Sequence, residues 1–408
     1  MSIKRFFPNT RPTLDLNFAA TKRLDPRITY TRASTGTFVG SDGLIQGAAV
    51  NQARFEHNPT TGESLGLLVE EARTNLALYS EQINDASWAK QDATVTANSA
   101  VSPDGTTTAD LIYPSTTGSI RYVNKSVGIS SSITTMSFFV KASGFTRCYL
   151  LGGTTSLGAW FDLSAGTVGT VTANCSATIQ AFANGWFRCS LTQPATTNPY
   201  ISIGPCDANN SFVATASSTN GIFVWGAQLE AGSFPTSYIP TVASTVTRAA
   251  DVASITGTNF SSWYNQSQGT LFCSFPTAKQ DASGSTLSIV ALNDNTDNEH
   301  VGISRNYDPL QLNVNIVTGY IAQSSFTFYP IPYGIKKVAL GLAANNSICV
   351  VDGTTSAVDT SISMPSPNQL LLGTDTGYTN YALNGTIACL AFYPVRLPDA
   401  QLQALTAT

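Results

Sequence analysis

Short runs of alternating or continuous apolar residues, each closed by Gly, Asn, Asp or Ser, recur along nearly the whole chain. MSFFVKA at 136–142 and GIFVWGAQLE at 221–230 combine β-branched and aromatic residues between turn formers, which predicts strands. In the second run Phe223 and Trp225 share one face and Ile222 and Val224 the other. Both faces are apolar, so this strand is expected inside a sheet, and Gly226 after it leaves room for another backbone. AFANGWFRCS at 181–190 predicts a hairpin, because Asn184 and Gly185 tolerate the positive φ of a type I′ turn. WFDLSAGTV at 160–168 predicts a second, closing through Ser164, Ala165 and Gly166. VALGLAANNSICVVDG (338–353) and LNGTIACLAFYPVRL (383–397) each pair strands across Asn- or Gly-rich corners, with Gly353 supplying one turn. Strands this short, punctuated this often, predict antiparallel β-sandwiches.

Helical periodicity is confined to two places. GLLVEEARTNLALYS (66–80) has a partial helical pattern, weakened by Gly66 and the Thr74-Asn75 pair. LPDAQLQALT (397–406) predicts a short terminal helix, with Asp399 as cap and Leu402 and Leu405 on one face. Two changes in pattern suggest boundaries, one near residue 80 and one between Thr236 and Asn259. The expected organisation is an N-terminal segment (1–80), a first sandwich (81–245) and a second sandwich (246–408). ITYTRAST (28–35) and STVTRAAD (244–251) echo each other too weakly to count as a repeat.

Composition narrows the function classes. Lys and Arg number 21 and Asp and Glu 25, only 11 % of 408 residues, while the hydrophobic share is 42 %. That apolar content excludes a disordered chain, and the scarcity of charge excludes a coiled coil. A net charge of −4 without a basic cluster argues against nucleic acid. No apolar run reaches the ~20 residues that span a bilayer. The N-terminus (MSIKRFFPNTRP) lacks a signal-peptide core, so cytoplasmic synthesis without export is expected. Seven cysteines stand without metal-type spacing and read as buried free thiols.

Residues 24–80 (LDPRITYTRASTGTFVGSDGLIQGAAVNQARFEHNPTTGESLGLLVEEARTNLALYS) resemble a module of tailed-phage and prophage virion proteins. The resemblance continues through SPDGTTTAD (102–110), NGWFRCS (184–190) and WGAQLEAGSFPTSYIPT (225–241), which is similar to a carbohydrate-binding-module-like jelly roll. From Ala249, SSWYNQSQGTLF, KKVALGL, VDG and LNGTIACLAFYPVRLPDAQLQALT resemble a concanavalin A-like, laminin-G-type sandwich. The resemblance implies a fibre or appendage subunit on the virion surface, assembled in the host cytoplasm with other virion proteins. A homo-oligomer, a trimer by preference, is implied too, with host-surface glycan as ligand. A capsid-decorating fibre without glycan binding, and a polysaccharide depolymerase, are the alternatives.

Candidate chemistry is sparse. Stacking on sugar needs flat aromatic faces, for which Trp263, Tyr264, Tyr320, Tyr378, Tyr381 and Trp88 are candidates. Trp160, Trp186 and Trp225 lie in apolar strands and read as core. Arg5, Arg11, Lys22, Arg23, Arg27 and Arg32 are the candidate virion-attachment cations of the N-terminal segment. Asp294, Asp297 and Glu299 form the one acidic cluster suited to a structural Ca²⁺; no other cofactor is expected. His57 and His300 have no triad or metal spacing. Glu70 and Glu71 are adjacent and point apart on a strand, and Glu230 ends an apolar strand, where a structural role is expected. A non-enzymatic protein is the expectation.

Overall fold

Apolar alternation closes the chain into two stacked pairs of antiparallel sheets. The computed structural model describes residues 10–128, 132–153, 156–196, 200–277, 286–306, 311–375 and 382–407. The middle sandwich faces one six-stranded sheet (in spatial order Ser176–Ala181, Phe187–Gln193, Thr134–Ser143, Gly221–Ala231, Ala109–Pro114, Ala93–Ala100) against another (Thr167–Val171, Gly158–Asp162, Arg147–Leu151, Tyr200–Pro205, Tyr122–Ser126, Ala89–Gln91). Between them pack Trp88, Met136, Phe138, Val140, Leu150, Phe161, Ile222 and Val224, all essentially inaccessible.

The terminal sandwich is built from both ends of the chain. Its six-stranded sheet runs Leu14–Leu16, Cys389–Tyr393, Gln268–Thr277, Gly334–Ala343, Ile348–Val351, Thr354–Thr355. The seven-stranded sheet opposite runs Thr29–Thr31, Val252–Thr256, Gln369–Leu372, Leu287–Asn293, Glu299–Asn306, Gln311–Thr318, Ile321–Phe328. The helix Asp399–Thr406 covers the outer face of the six-stranded sheet with Leu402 and Leu405, as its spacing predicts. Asp399 does not cap that helix. Pro398 holds the cap position, and Asp399 sits in the first turn, paired with Arg396 at 2.5 Å.

The expected three-part division is therefore corrected. Residues 14–16 and 29–31 each add a strand to the terminal sandwich, and Ser64–Val69 pairs with Gly385–Ile387. Residues 10–75 belong with the described residues of 246–407, and the middle sandwich is an insertion. Chain enters and leaves it side by side, because Arg73–Asn75 pairs with Val246–Arg248. The segment 66–80 is not helical; apolar residues at 67–69 are buried in the strand Ser64–Val69.

Several local expectations hold. Asn184 (φ 60°) and Gly185 (φ 77°) turn the hairpin, whose flanking strands meet at Ala181 and Phe187. Asp352 (φ 47°) and Gly353 (φ 80°) form a two-residue turn between Val351 and Thr354. Gly226 has φ 64° and lies by a bulge. A Cβ there would sit 2.8 Å from the Phe139 ring, so what approaches is a side chain and not a backbone. Phe223 and Trp225 face outward from the middle sandwich. Trp225, Phe139, Phe182 and Tyr238 join Val39 and Ile45 of an N-terminal hairpin (Gly36–Val39, Ile45–Ala48) in a second apolar cluster that docks the two halves.

A buried ionic cluster reinforces that docking. Arg32 and Arg54 both pair with Asp251, Arg32 at 3.2 Å, and Arg54 also holds Glu70 at 2.8 Å. Arg248 approaches Glu70 (3.6 Å) and Asp251 (3.9 Å) from the return crossing. Arg32 and Arg248 belong to the two weakly echoing TRA segments, and the fold brings them to one carboxylate. Glu70 accepts from Ser237 N and Oγ, both at 2.7 Å, tying in the segment 233–241 that leaves the middle sandwich. All seven cysteines are free, six of them buried.

Candidate functional site

Strand alternation gives the seven-stranded sheet of the terminal sandwich two unlike faces. Leu312, Val314, Ile316, Val301 and Ile303 point into the core. Gln311, Asn313 and Asn315 point out, opposite Asn306, Ser304 and Gly302 on one neighbour. On the edge strand Thr327 and Ser325 lie opposite Asn313 and Asn315. Around these strands the outer face is polar, formed by Gln, Asn, Ser and Thr.

Its side chains hold one another in place. Gln311 Nε2 donates to Asn313 Oδ1 at 2.8 Å, and Thr327 Oγ1 donates to the same oxygen at 3.2 Å. Ser325 Oγ donates to Asn315 Oδ1 at 2.9 Å. With both oxygens engaged, the NH₂ groups of the half-buried Asn313 and Asn315 are left as oriented donors, two residues and so ~7 Å apart along the strand.

The inner border of this face is a second polar group. His300 Nε2 lies 2.9 Å from Asp375 Oδ2, and Asn293 Nδ2 donates to Asp375 Oδ1 at 3.1 Å. Gln369 Nε2 donates to Asn293 Oδ1 at 2.7 Å. Gly302 makes room for this arrangement, since a Cβ there would stand 2.3 Å from His300 Cε1. At one end of the face the turn Gly319-Tyr320 joins two strands with positive φ at both residues (62° and 59°). Tyr320 is 71 % exposed, although such backbone disfavours a bulky aromatic. Tyr329 and Tyr333, also exposed, stand beyond the other end of the edge strand. Sequence reasoning missed these two; YPIPY, an aromatic pair among prolines, was the available signal.

The remaining sequence candidates scatter. Trp88 is wholly buried in the core of the middle sandwich, and Trp263 is buried in that of the terminal one against Phe392 at 5.2 Å. Neither presents a ring to ligand, so both are corrected to core. Tyr264 packs partly buried on the same core, its ring 4.9 Å from Phe260. Tyr378, Tyr381 and Arg5 lie outside the described residues. Arg11, Lys22 and Arg23 are exposed, Arg27 is paired with Asp25 at 2.8 Å, and Arg32 is buried in the ionic cluster and unavailable for attachment.

The acidic cluster does not converge. Asp294 Oδ1 accepts from Thr296 N and Oγ1, while Glu299 accepts from Gly319 N and Ser366 N. Among the described residues no group of three acidic, Cys or His side chains is placed to hold a metal ion, Asp297 included. Glu230 is structural, accepting from Gln228, Thr236 N and Thr236 Oγ1.

Two carboxyls line one cleft of about 500 Å³ between the halves of the molecule. Burial pushes the Glu56 carboxyl up to about 8. Burial acts upward on Glu70 as well, but Arg248, Arg54 and the Ser237 hydrogen bonds prevail and hold it at about 2. A split of this kind is what acid–base catalysis uses. Here, though, both Glu70 oxygens are engaged by Arg54, Ser237 N and Ser237 Oγ, which leaves little access for a water or sugar carbon.

No family model matches the chain, and no curated protein matches it. Solved structures similar to it include the CBM40 of a Ruminococcus gnavus IT-sialidase bound to α2,3-sialyllactose (17 % identity, 35 % of this chain and 84 % of that one, TM-score 0.31). A Trypanosoma rangeli sialidase with the inhibitor DANA is 12 % identical over 73 % of this chain and 60 % of its own, TM-score 0.30. Domains LG4-5 of the mouse laminin α1 chain are 9 % identical over 64 % and 81 %, TM-score 0.24. At TM-scores this low none of these structures carries a functional reading.

Proposed function

We propose that this protein is a non-enzymatic glycan-recognition subunit of a tailed-phage virion appendage, and that the polar outer face of the seven-stranded sheet holds the sugar. The observation that carries the reading is the pair of amide donors fixed on the outer face at Asn313 and Asn315, with exposed Tyr320 at the end of the same sheet. Ligand sites combine a few oriented polar groups with an apolar or aromatic surface. The virion placement rests on the sequence resemblance. Exposed Arg11, Lys22 and Arg23 are the attachment cations the fold leaves at the surface.

The test is a host-glycan array probed with the full chain. Binding is expected, reduced at least tenfold in Asn315→Ala and Tyr320→Ala while melting temperature holds. Absence of binding to any host glycan would leave the capsid-decorating alternative in its place. The depolymerase reading has the Glu56–Glu70 split in its favour and the enclosure of Glu70 against it. No reducing sugar is expected from host polysaccharide, and release abolished by Glu56→Gln would reverse the assignment.

A further inference from the structure

The cleft between the two halves has a wall that the proposed sugar face does not share. Its floor is the outer face of the middle sandwich, where Thr178 and Ser190, hydrogen-bonded to each other, and Thr192, which donates to the Ser233 carbonyl, lie beside Arg188 and Phe182. Glu56, His57 and Leu68 of the N-terminal strands stand opposite. At about 500 Å³ it has the size of a small-ligand pocket.

Arg188 is the unusual member. Its guanidinium stacks over the Phe139 ring at 5.4 Å, donates from Nε and Nη2 to Ser137 Oγ (3.3 and 3.0 Å) and from Nη1 to the Thr236 carbonyl at 2.7 Å. It makes no ion pair with any described residue, whereas Arg32, Arg54 and Arg248 each do. The neighbouring carboxylates are already engaged, Glu70 by arginines and Ser237, and Glu230 by Gln228 and Thr236. Two guanidinium N–H groups remain, and a planar fork of this kind suits a carboxylate.

His57 supplies the second observation. Nδ1 lies 3.0 Å from the Val39 carbonyl, which only accepts, so in the neutral ring Nδ1 carries the proton and Nε2 is the acceptor. That Nε2 is buried with no partner, in a residue 5 % exposed that lines the cleft. An unpaired buried acceptor is costly unless a donor arrives. Cation, acceptor and aromatic wall together ask for a ligand bearing one carboxylate and a hydroxyl that can donate.

We propose that this cleft binds a carboxylate-bearing monosaccharide unit, its carboxylate on Arg188 and a ring hydroxyl donating to His57 Nε2. The site is separate from the sheet face of the terminal sandwich. Glu56 supports it: held neutral at pH 7, its carboxyl adds no repulsion toward the ligand's charge.

Calorimetric titration of the full chain at pH 6.5 with glucuronate, glucose and inorganic phosphate tests this. Glucuronate is expected to bind at least tenfold more tightly than either of the others. Arg188→Gln is expected to cost tenfold or more and Tyr320→Ala nothing, which keeps this site distinct from the one proposed above. Should Arg188→Gln fail to fold, Gln180→Trp narrows the exposed side of the cleft and is expected to weaken glucuronate likewise. Equal binding of glucose or phosphate, no glucuronate binding at millimolar concentration, or unchanged affinity in whichever of the two variants folds would overturn the proposal.

Discussion

Single residues here take their roles from burial more than from type. Trp263 and Tyr320 both read as sugar-stacking aromatics in the sequence, yet one is 2 % exposed and the other 71 %. Their neighbours do not distinguish them: only the fold shows that SSWYN lies under Phe392 and that Tyr320 tips a turn. Glu56 is a similar case, an ordinary strand residue whose acidity is set by what closes over it. Its carboxyl titrates at about 8 in the fold against 4.5 unfolded, so the folded state holds the extra proton between those values. Its contribution to stability is complete below pH 4.5 and is lost as pH rises to 8. Thermal melts from pH 5 to 8.5 are expected to show a falling melting temperature, flattened in Glu56→Gln.

At the scale of elements, turns and strands were legible and their partners were not. Asn184-Gly185 and Asp352-Gly353 announce hairpins because positive φ at two successive positions is a local demand. Residues 66–80 misled because a fully buried strand carries a continuous apolar run, which periodicity cannot separate from a helix. The outer sheet face was illegible for a different reason. Asn313 and Asn315 look like any polar alternation until Gln311, Thr327 and Ser325 are seen to fix them across strands. Gly302 belongs to the same element-level logic, as the gap in which the His300 ring lies. Gly302→Ala is expected to displace that ring and destabilise by about 1–3 kcal/mol, the range for overpacking. Loss of the His300–Asp375 contact would be read from the imidazole resonances.

For the whole molecule, the sequence gives two sandwiches correctly and their connection wrongly. Strand pairings between residues 14–31 and 252–392 cross more than two hundred positions, and no local pattern encodes them. Arg32, Arg54, Arg248, Glu70 and Asp251 then lock segments from both sides of the insertion around one buried cluster. Removing the shared carboxylate leaves Arg32 buried without an ionic partner, while Arg54 keeps Glu70, and breaking such a pair costs about 3–5 kcal/mol. Asp251→Asn is therefore expected to lower the melting temperature and to split a single calorimetric transition into two, one per sandwich. A single transition at the original temperature would show that the cluster does not couple them.

The side-by-side crossings at Arg73–Asn75 and Val246–Arg248 have a further consequence. A unit whose entry and exit are neighbours can be cut out and replaced by another with the same spacing, leaving its carrier intact. Such a replacement must also bring matching surfaces for Val39 and Ile45, the role Phe139, Trp225 and Tyr238 play now. The carrier thus works as a socket whose Val39 and Ile45 set which inserts fit.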